Sequence, residues 1–216
     1  MRLFDRFLDL LYPPRCMLCR RLLNEQEKDI CYKCADKLPA LLNFEPRRDL
    51  KNIRLCVAPF VYKDELRASL HRYKFRGIAA YGRIYADFIA KSIDENAITC
   101  DIISWVPVSK GRMRERGYDQ AEIIARSLAK ELGLPCERLL IKCRENRRQS
   151  SLTSKEARKH NVAGAYRCVA REELTGKRIL LVDDIVTTGA TLSECAAMLK
   201  SSGGIEIYAA AAAMRM

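Results

Sequence analysis

Two adjacent carboxylates, followed by small and hydroxylic residues, are the part of this sequence best suited to chemistry. Asp183 and Asp184 come directly after the apolar run 179–182, and the residues that follow include Thr187, Thr188, Gly189, Ala190 and Thr191. Small residues allow several backbone N–H groups to face one phosphate, and a helix start adds positive potential. The two carboxylates can accept hydrogen bonds from two neighbouring ribose hydroxyls. The pattern predicts a sugar-phosphate site, with an ordinary strand-to-helix turn as the alternative.

Four cysteines near the start of the chain form a second candidate site. They occur as Cys16-x2-Cys19 and Cys31-x2-Cys34. Each tight C-x2-C turn aims two thiolates at one point, which suits tetrahedral Zn²⁺. Four protein ligands leave no open coordination position, so a structural zinc is predicted, and an iron–sulfur cluster is the alternative. The other six cysteines are scattered and are predicted to be small core residues.

Basic residues interleaved with aromatic ones form a third candidate site. Tyr73, Phe75 and Tyr118 lie among lysines and arginines, an arrangement that can stack unpaired bases and hold phosphates. The alternative is a set of buried aromatics with extended basic side chains at the surface. The residues predicted to contact nucleic acid are Lys74, Phe75, Arg76, Arg112, Arg114, Arg116, Arg147 and Arg148.

Composition indicates a soluble globular protein with anionic partners. The 216 residues carry a formal net charge of +12, with 31% charged and 49% hydrophobic residues. This charge favours nucleic acid or phosphorylated substrates, although a basic solvated surface would have the same composition. The chain contains no apolar run of about 18 residues, so no membrane insertion is expected. Charged residues interrupt the apolar N-terminus, which therefore does not match a signal peptide, and a cytoplasmic location is predicted.

The apolar periodicity predicts an α/β fold whose strands position these candidate sites. Strands are expected at 101–106, 139–143, 166–169, 179–182 and 205–213, with a strand or hairpin at 55–62. Helices are expected at 3–11, from 66 to about 77, at 78–92, at 119–132 and from 190, with a further short helix starting at the capping box 153–156. Strand-end loops of a parallel sheet gather on one edge. This edge would bring the glycine- and arginine-rich loop 108–118 close to the acid pair.

The stretch from Arg178 to Thr191, RILLVDDIVTTGAT, resembles the phosphoribosyl-pyrophosphate (PRPP) loop of type I phosphoribosyltransferases. The resemblance implies that Asp183 and Asp184 are catalytic residues on the ribose 2′- and 3′-hydroxyls, with Thr187 to Thr191 around the 5′-phosphate. The pyrophosphate loop of the fold corresponds to Lys110 to Arg116, which implies Lys110 and Arg112 as PRPP ligands. The flexible loop that covers the site corresponds to 147–161. Purine transferases carry an Asp where this chain has Thr187, so purine chemistry is not implied.

With the cysteine pairs, the whole chain resembles the ComF family of competence-associated proteins. The resemblance implies a type I phosphoribosyltransferase fold, a parallel sheet flanked by helices, at 46–216, behind an N-terminal helix and zinc-binding module at 1–45. It implies PRPP as ligand, with Mg²⁺ on the pyrophosphate and ribose oxygens, and a role in single-stranded DNA uptake during natural transformation beside other competence proteins. The alternative is an active transferase that moves phosphoribosyl from PRPP to an unidentified acceptor.

Overall fold

The computed structural model describes residues 13–43, 45–76, 78–144, 164–170 and 174–215. The predicted helix at 3–11, the capping box at 153–156 and the loop 147–161, with Arg147 and Arg148, lie outside the described residues.

Five parallel strands form the central sheet of the described chain, as the sequence predicted for an α/β fold. Their order is β1-β7-β6-β3, and β2 also pairs with β7. Two short strands, β4 and β5, form a separate antiparallel pair instead of extending this sheet. The strands are β1 Leu55–Val57, β2 Phe60–Val61, β3 Ile102–Trp105, β4 Leu140–Lys142, β5 Tyr166–Cys168, β6 Arg178–Val186 and β7 Glu206–Met214.

The segment predicted as a strand or hairpin at 55–62 is a parallel edge strand with an interruption. β1 and β2 do not pair with each other, and both pair with β7. Leu55 lies opposite Tyr208 and Phe60 opposite Ala213, so the two strands keep one register along β7. Pro59 lies between them, and a proline has no N–H for the ladder, which explains the break at this position.

Two of the described helices begin and end at residues with clear capping roles. Asp119 Oδ1 accepts a hydrogen bond from Ala121 N at 3.1 Å, and Gly133 ends that helix with a φ of 65°. The segment predicted as a loop at 108–118 contains a short helix, because Ser109 caps its start and Gly117, with a φ of 79°, ends it. The helices are α1 Tyr32–Ala35, α2 Asp64–Phe75, α3 Tyr81–Glu95, α4 Lys110–Arg116, α5 Gln120–Leu132 and α6 Ala190–Ser201, with a 3-10 turn at Leu38–Leu41.

The sheet separates two apolar cores. Alternate residues of β6 point to opposite faces, so Leu180 and Val182 join one core while Ile179 and Leu181 join the other. The first core contains the buried faces of α2, α3 and α5, and the second contains that of α6 together with β4 and β5. This division explains why β6 is apolar on both faces, as is typical of a central parallel strand.

The cysteine-containing segment packs on the α2–α3 side. Its residues Cys16, Met17 and Leu18 are buried in the same core as those two helices. The Arg72 guanidinium donates to the backbone carbonyls of Met17, at 2.7 Å, and Leu18, at 2.6 Å. In the part of the chain that is described, no helix has the length and apolarity needed to cross a membrane.

Candidate functional site

The acid pair lies inside β6. The strand continues to Val186, beyond the predicted end at 182, so Asp183 and Asp184 project toward opposite faces of the sheet. Asp183 lines a surface depression with 185–192, on the side where α6 begins. Asp184 lies on the α2 side, where one of its oxygens is 2.8 Å from the Lys74 ammonium nitrogen. The backbone N–H of Asp184 donates to Asp183 Oδ1 at 2.8 Å, which orients the Asp183 carboxyl against the strand.

The electrostatics of this pair differ from those of surface carboxylates. Burial, and then the charge of Asp184, raise the pKa of Asp183 to about 8, against the opposing effect of Lys74. Burial also raises the pKa of Asp119, the residue that caps α5, to about 6, and the charges of Glu122 and Asp184 act in the same direction. The Asp183 carboxyl therefore keeps its proton to higher pH than a surface carboxylate does.

The turn between β6 and α6 forms a cradle of small residues. Gly189 has a φ of 75°, in the left-handed region, and precedes the first residue of α6. Thr188 Oγ1 accepts from Ala190 N at 3.4 Å. The N-terminal end of a helix with small residues around it suits a phosphate group. The predicted cradle residues Thr187, Thr188, Gly189, Ala190 and Thr191 all line the same depression.

Arg47 supports this turn, although the sequence alone did not indicate it. Its Nη1 donates to the Thr187 carbonyl at 3.2 Å, and its Nη2 pairs with Asp49 Oδ2 at 2.6 Å. The residues before β1 are mixed in charge and gave no sign of a role at the site. An antiparallel bridge between Arg47 and Cys56 holds this segment beside β1.

The predicted pyrophosphate residues lie on α4, at the same edge of the sheet. The last residue of β3, Trp105, is opposite Val182, one residue before Asp183. Helix α4 begins five residues after Trp105, at Lys110. Burial raises the pKa of Tyr166, and the charges of Asp183 and Arg112 act on it in opposite directions. The structure thus brings α4 and the acid pair to one sheet edge, as parallel topology predicts.

The predicted nucleic-acid residues are only partly an exposed surface. The Phe75 ring is 48% exposed, and the Arg116 guanidinium lies 4.9 Å from its centroid. Arg76 and Arg114 are exposed. Lys74 is engaged with Asp184.

The prediction that Tyr73 stacks on bases is wrong. Tyr73 is 0% exposed, and its hydroxyl donates to the Gln120 carbonyl at 2.7 Å. Tyr118 is half-buried and donates its hydroxyl to the Tyr73 carbonyl. Neighbouring residues of a helix point in different directions, so Tyr73 faces the core while Phe75 faces solvent.

The four cysteines form one compact cluster. The Sγ atoms of Cys16, Cys19, Cys31 and Cys34 all lie within 4.8 Å of one another, and those of Cys19 and Cys31 are 3.6 Å apart. Four Zn–S bonds of about 2.3 Å in a tetrahedron require sulfur–sulfur distances near 3.8 Å. Cys31 N donates to Cys16 Sγ at 3.4 Å, a contact that suits a thiolate ligand. The cluster therefore fits a structural zinc site.

Two family models match this chain. Residues 118–216 match the phosphoribosyl transferase domain, which includes the acid pair and the cradle. Residues 7–45 match the double zinc ribbon domain, which includes all four clustered cysteines. Together with the parallel sheet, these matches give the chain a type I phosphoribosyltransferase fold behind a zinc module.

Curated relatives carry competence and DNA-utilization names. "Competence protein F" of Haemophilus influenzae is 29% identical over 153 residues, covering 68% of this chain and 66% of that protein. "Competence protein ComFC" of Bacillus subtilis is 28% identical over 213 residues, covering 92% of this chain and 83% of the relative. "DNA utilization protein YhgH" of Salmonella typhimurium is 25% identical over 220 residues, covering 92% of this chain and 96% of that protein.

Proposed function

Since the chain belongs to the ComF family, we propose that it binds PRPP with Mg²⁺ and handles single-stranded DNA during its uptake. The observation that carries the PRPP assignment is one depression lined by Asp183 and by the cradle at the start of α6. This depression offers carboxyl oxygens for ribose hydroxyls beside backbone N–H groups for a phosphate. We further propose a cytoplasmic location and contacts with other competence proteins.

The chemistry of PRPP agrees with the groups around the depression. The 5′-phosphate would lie at the α6 N-terminus, where the helix dipole favours an anion. The ribose hydroxyls would donate to carboxyl oxygens of Asp183 and Asp184. Lys110 and Arg112 on α4 would attract the pyrophosphate from the neighbouring strand end. Mg²⁺ would arrive with the pyrophosphate and keep most of its ligands from the substrate and water.

The single-strand assignment is supported by the aromatic and basic residues beside this edge. The exposed Phe75 ring, backed by the Arg116 guanidinium, offers a flat platform for an unpaired base. Arg76, the next residue along the chain, and Arg114 on α4 are also exposed and would contact backbone phosphates. Stacking tolerates any base sequence, so binding should prefer single strands without strong sequence preference.

Calorimetric titration with Mg·PRPP tests the first half of the proposal. Each hydrogen bond from a ribose hydroxyl to a charged group contributes about 1.5–3 kcal/mol. The double change Asp183→Asn with Asp184→Asn should therefore weaken binding by more than tenfold while the protein stays folded. The exposed Asp94→Asn on α3 is the matched control and should bind as the wild type does. Unchanged affinity in the double variant, or no binding by the wild type, would remove the PRPP assignment.

Fluorescence anisotropy with labelled oligonucleotides over a range of salt concentrations tests the second half. Phe75→Ala should weaken single-strand binding by about 1–3 kcal/mol without changing the salt dependence. Arg112→Glu with Arg114→Glu should flatten the salt dependence, because fewer counterions are released. Lys130→Glu, an exposed charge change on α5, is the control. Equal affinity for duplex and single strand would leave only non-specific attraction by a basic protein.

The acid pair also keeps an active transferase as the second candidate. In that reaction an acceptor would displace pyrophosphate at C1 of the ribose, and the carboxylates would stabilise the positive charge that develops on the sugar. A protein that used this domain only as a scaffold would have no need of two partly buried carboxylates beside a phosphate cradle. Pyrophosphate release from PRPP, measured against a panel of nucleobases, decides between the two candidates.

A further inference from the structure

The turn between β6 and α6 is contacted by a short segment, residues 47–50, from a distant part of the chain. The Arg47 Nη1 donates to the Thr187 carbonyl at 3.2 Å, and the Leu50 side chain lies against Gly189. Both Thr187 and Gly189 line the depression proposed to hold the ligand. The segment therefore acts on this depression through the backbone of the turn.

Arg47 is held in place at both its backbone and its guanidinium group. Its backbone N–H donates to the Cys56 carbonyl at 2.8 Å, and the Cys56 N–H donates to the Arg47 carbonyl at 2.9 Å. The Asp49 carboxylate accepts from Nε at 2.8 Å and from Nη2 at 2.6 Å, and these two bonds orient the planar guanidinium. This arrangement leaves Nη1 to donate to Thr187, and only 21% of the Arg47 side chain is exposed. The donor is thus preorganised, unlike a mobile cation at the surface.

The orientation of the Thr187 carbonyl determines where the next backbone N–H points. The peptide bond between Thr187 and Thr188 is trans, so the carbonyl and the Thr188 N–H point in opposite directions. A carbonyl held on Arg47 therefore directs the Thr188 N–H away from the arginine. Gly189 follows with a left-handed φ of 75°, and successive N–H groups around a left-handed residue form a concave anion-binding site. Fixing this one peptide plane thus fixes one donor of the cradle.

We propose that Arg47, oriented by Asp49, is a positioning residue that fixes the peptide plane between Thr187 and Thr188 and so preorganises the cradle for the 5′-phosphate of the ligand. This inference rests on the proposed PRPP function and deepens it. It assigns part of the phosphate site to a segment that precedes the residues matching the transferase domain. Its physical reason is that donors ordered in advance bind an anion without the entropic cost of ordering the backbone during binding.

Calorimetric titration of two neighbouring arginine variants with Mg·PRPP is the first test. Arg47→Met should weaken binding about tenfold, the size of one lost charge-assisted hydrogen bond to the phosphate. Arg48 is the matched control, because it is the adjacent residue, is exposed and carries the same charge. Arg48→Met should bind within about twofold of the wild type, since an exposed charge is screened by salt. Mg·pyrophosphate has no 5′-phosphate, so Arg47→Met should bind it as the wild type does.

The Asp49→Ala variant separates positioning from charge. Removing a carboxylate makes the protein more positive, so charge alone would strengthen the binding of an anionic ligand. Loss of the bonds that orient the Arg47 guanidinium should instead weaken Mg·PRPP binding by about threefold or more. Because Arg47 itself stays in place, this variant also carries the test if Arg47→Met is not folded by circular dichroism.

Nitrogen-15 NMR relaxation of zinc-loaded protein without ligand measures the order of the turn directly. In the wild type, the order parameters of the Thr188 and Gly189 amides should lie near the rigid-backbone value of about 0.85. In Arg47→Met and Asp49→Ala they should fall toward about 0.6, the value typical of flexible backbone. Arg48→Met should keep the wild-type values.

The relaxation and binding measurements separate this inference from the proposed function. Unchanged order parameters in Arg47→Met and Asp49→Ala would overturn the role of Arg47, whether or not PRPP binds. Stronger Mg·PRPP binding by Asp49→Ala, or equal losses in Arg47→Met and Arg48→Met, would also overturn it, because charge alone gives those results. An equal loss of Mg·pyrophosphate affinity in Arg47→Met would do the same, because it indicates general damage to the site. A wild type that does not bind Mg·PRPP, but whose turn loosens as expected in the variants, would overturn only the function proposed above.

Discussion

The cradle turn depends on a close approach that only glycine permits. Gly189 has a φ of 75°, and a Cβ built on it would lie 2.2 Å from Cδ2 of Leu50. Leu50 is 6% exposed and belongs to the core on the α6 side of the sheet, so its side chain has little space to move away. Gly189→Ala should therefore destabilise the protein through two separate effects.

The structure allows the size of each effect to be worked out. A left-handed backbone costs a residue with a Cβ about 1–2 kcal/mol. Forcing an extra methyl into a packed core costs a further 1–3 kcal/mol or so. Gly133 supplies the matched control, because its φ is 65° but a Cβ there would have nothing within 4 Å. Gly133→Ala should thus show the backbone cost alone, and Gly189→Ala should lose about 2–5 kcal/mol.

Urea unfolding followed by circular dichroism, with zinc present throughout, measures both losses. Leu50→Ala removes the atoms that the new methyl would strike, so Gly189→Ala should cost less in that background than in the wild type. The same variants should be titrated with Mg·PRPP, because the turn they alter is the proposed phosphate site. If Gly189→Ala is no more destabilising than Gly133→Ala, the contact with Leu50 adapts freely and the reasoning about the cradle is wrong.

Three other predictions concern the zinc cluster, a buried carboxyl, and the contact between α2 and the cysteine-containing segment. We expect one zinc ion per chain in the wild type, and Cys16→Ser should lower that content and destabilise the N-terminal segment. Elemental analysis measures the zinc, and a full content in the variant would contradict the prediction. Burial raises the folded-state pKa of Asp119 to about 6. Its contribution to the free energy of unfolding is therefore present below about pH 4 and is lost as the pH rises through 6. Asp119→Asn should remove this pH dependence from the urea unfolding midpoints. Arg72→Met should expose the chain near Met17 to limited proteolysis, whereas an unchanged cleavage pattern would show that the contact is dispensable.

Local patterns made the central parts of the site predictable. The apolar run, the acid pair and the cradle are contiguous, so the strand, the turn and the helix start follow from adjacent residues. The cysteine pairs are also local, since the spacing of each pair alone determines how its two thiolates can converge. The predictions for short segments at the margins of the site were less accurate. Helix α4 was expected as a loop because its Ser109 cap and Gly117 stop are weak signals within a basic stretch.

Other features depended on how distant segments pack. Tyr73 and Phe75 have similar local contexts, and only the docking of α2 against α5 buries one and exposes the other. The alternative of a hairpin at 55–62 is excluded because both of its strands pair with β7 and not with each other. Such pairings depend on which strands become neighbours, which residue patterns along a single segment do not specify.

The sequence by itself determined that this chain has a strand containing an acid pair, a turn of small residues after that strand, and a four-cysteine cluster suited to zinc, because each is built from residues close together in the chain. The tertiary structure alone decided which groups tune that site. It placed Lys74 on Asp184, Leu50 under Gly189 and Arg47 on the turn. These contacts join segments far apart in sequence, and their energies exist only after helices and strands have packed on the two faces of the sheet.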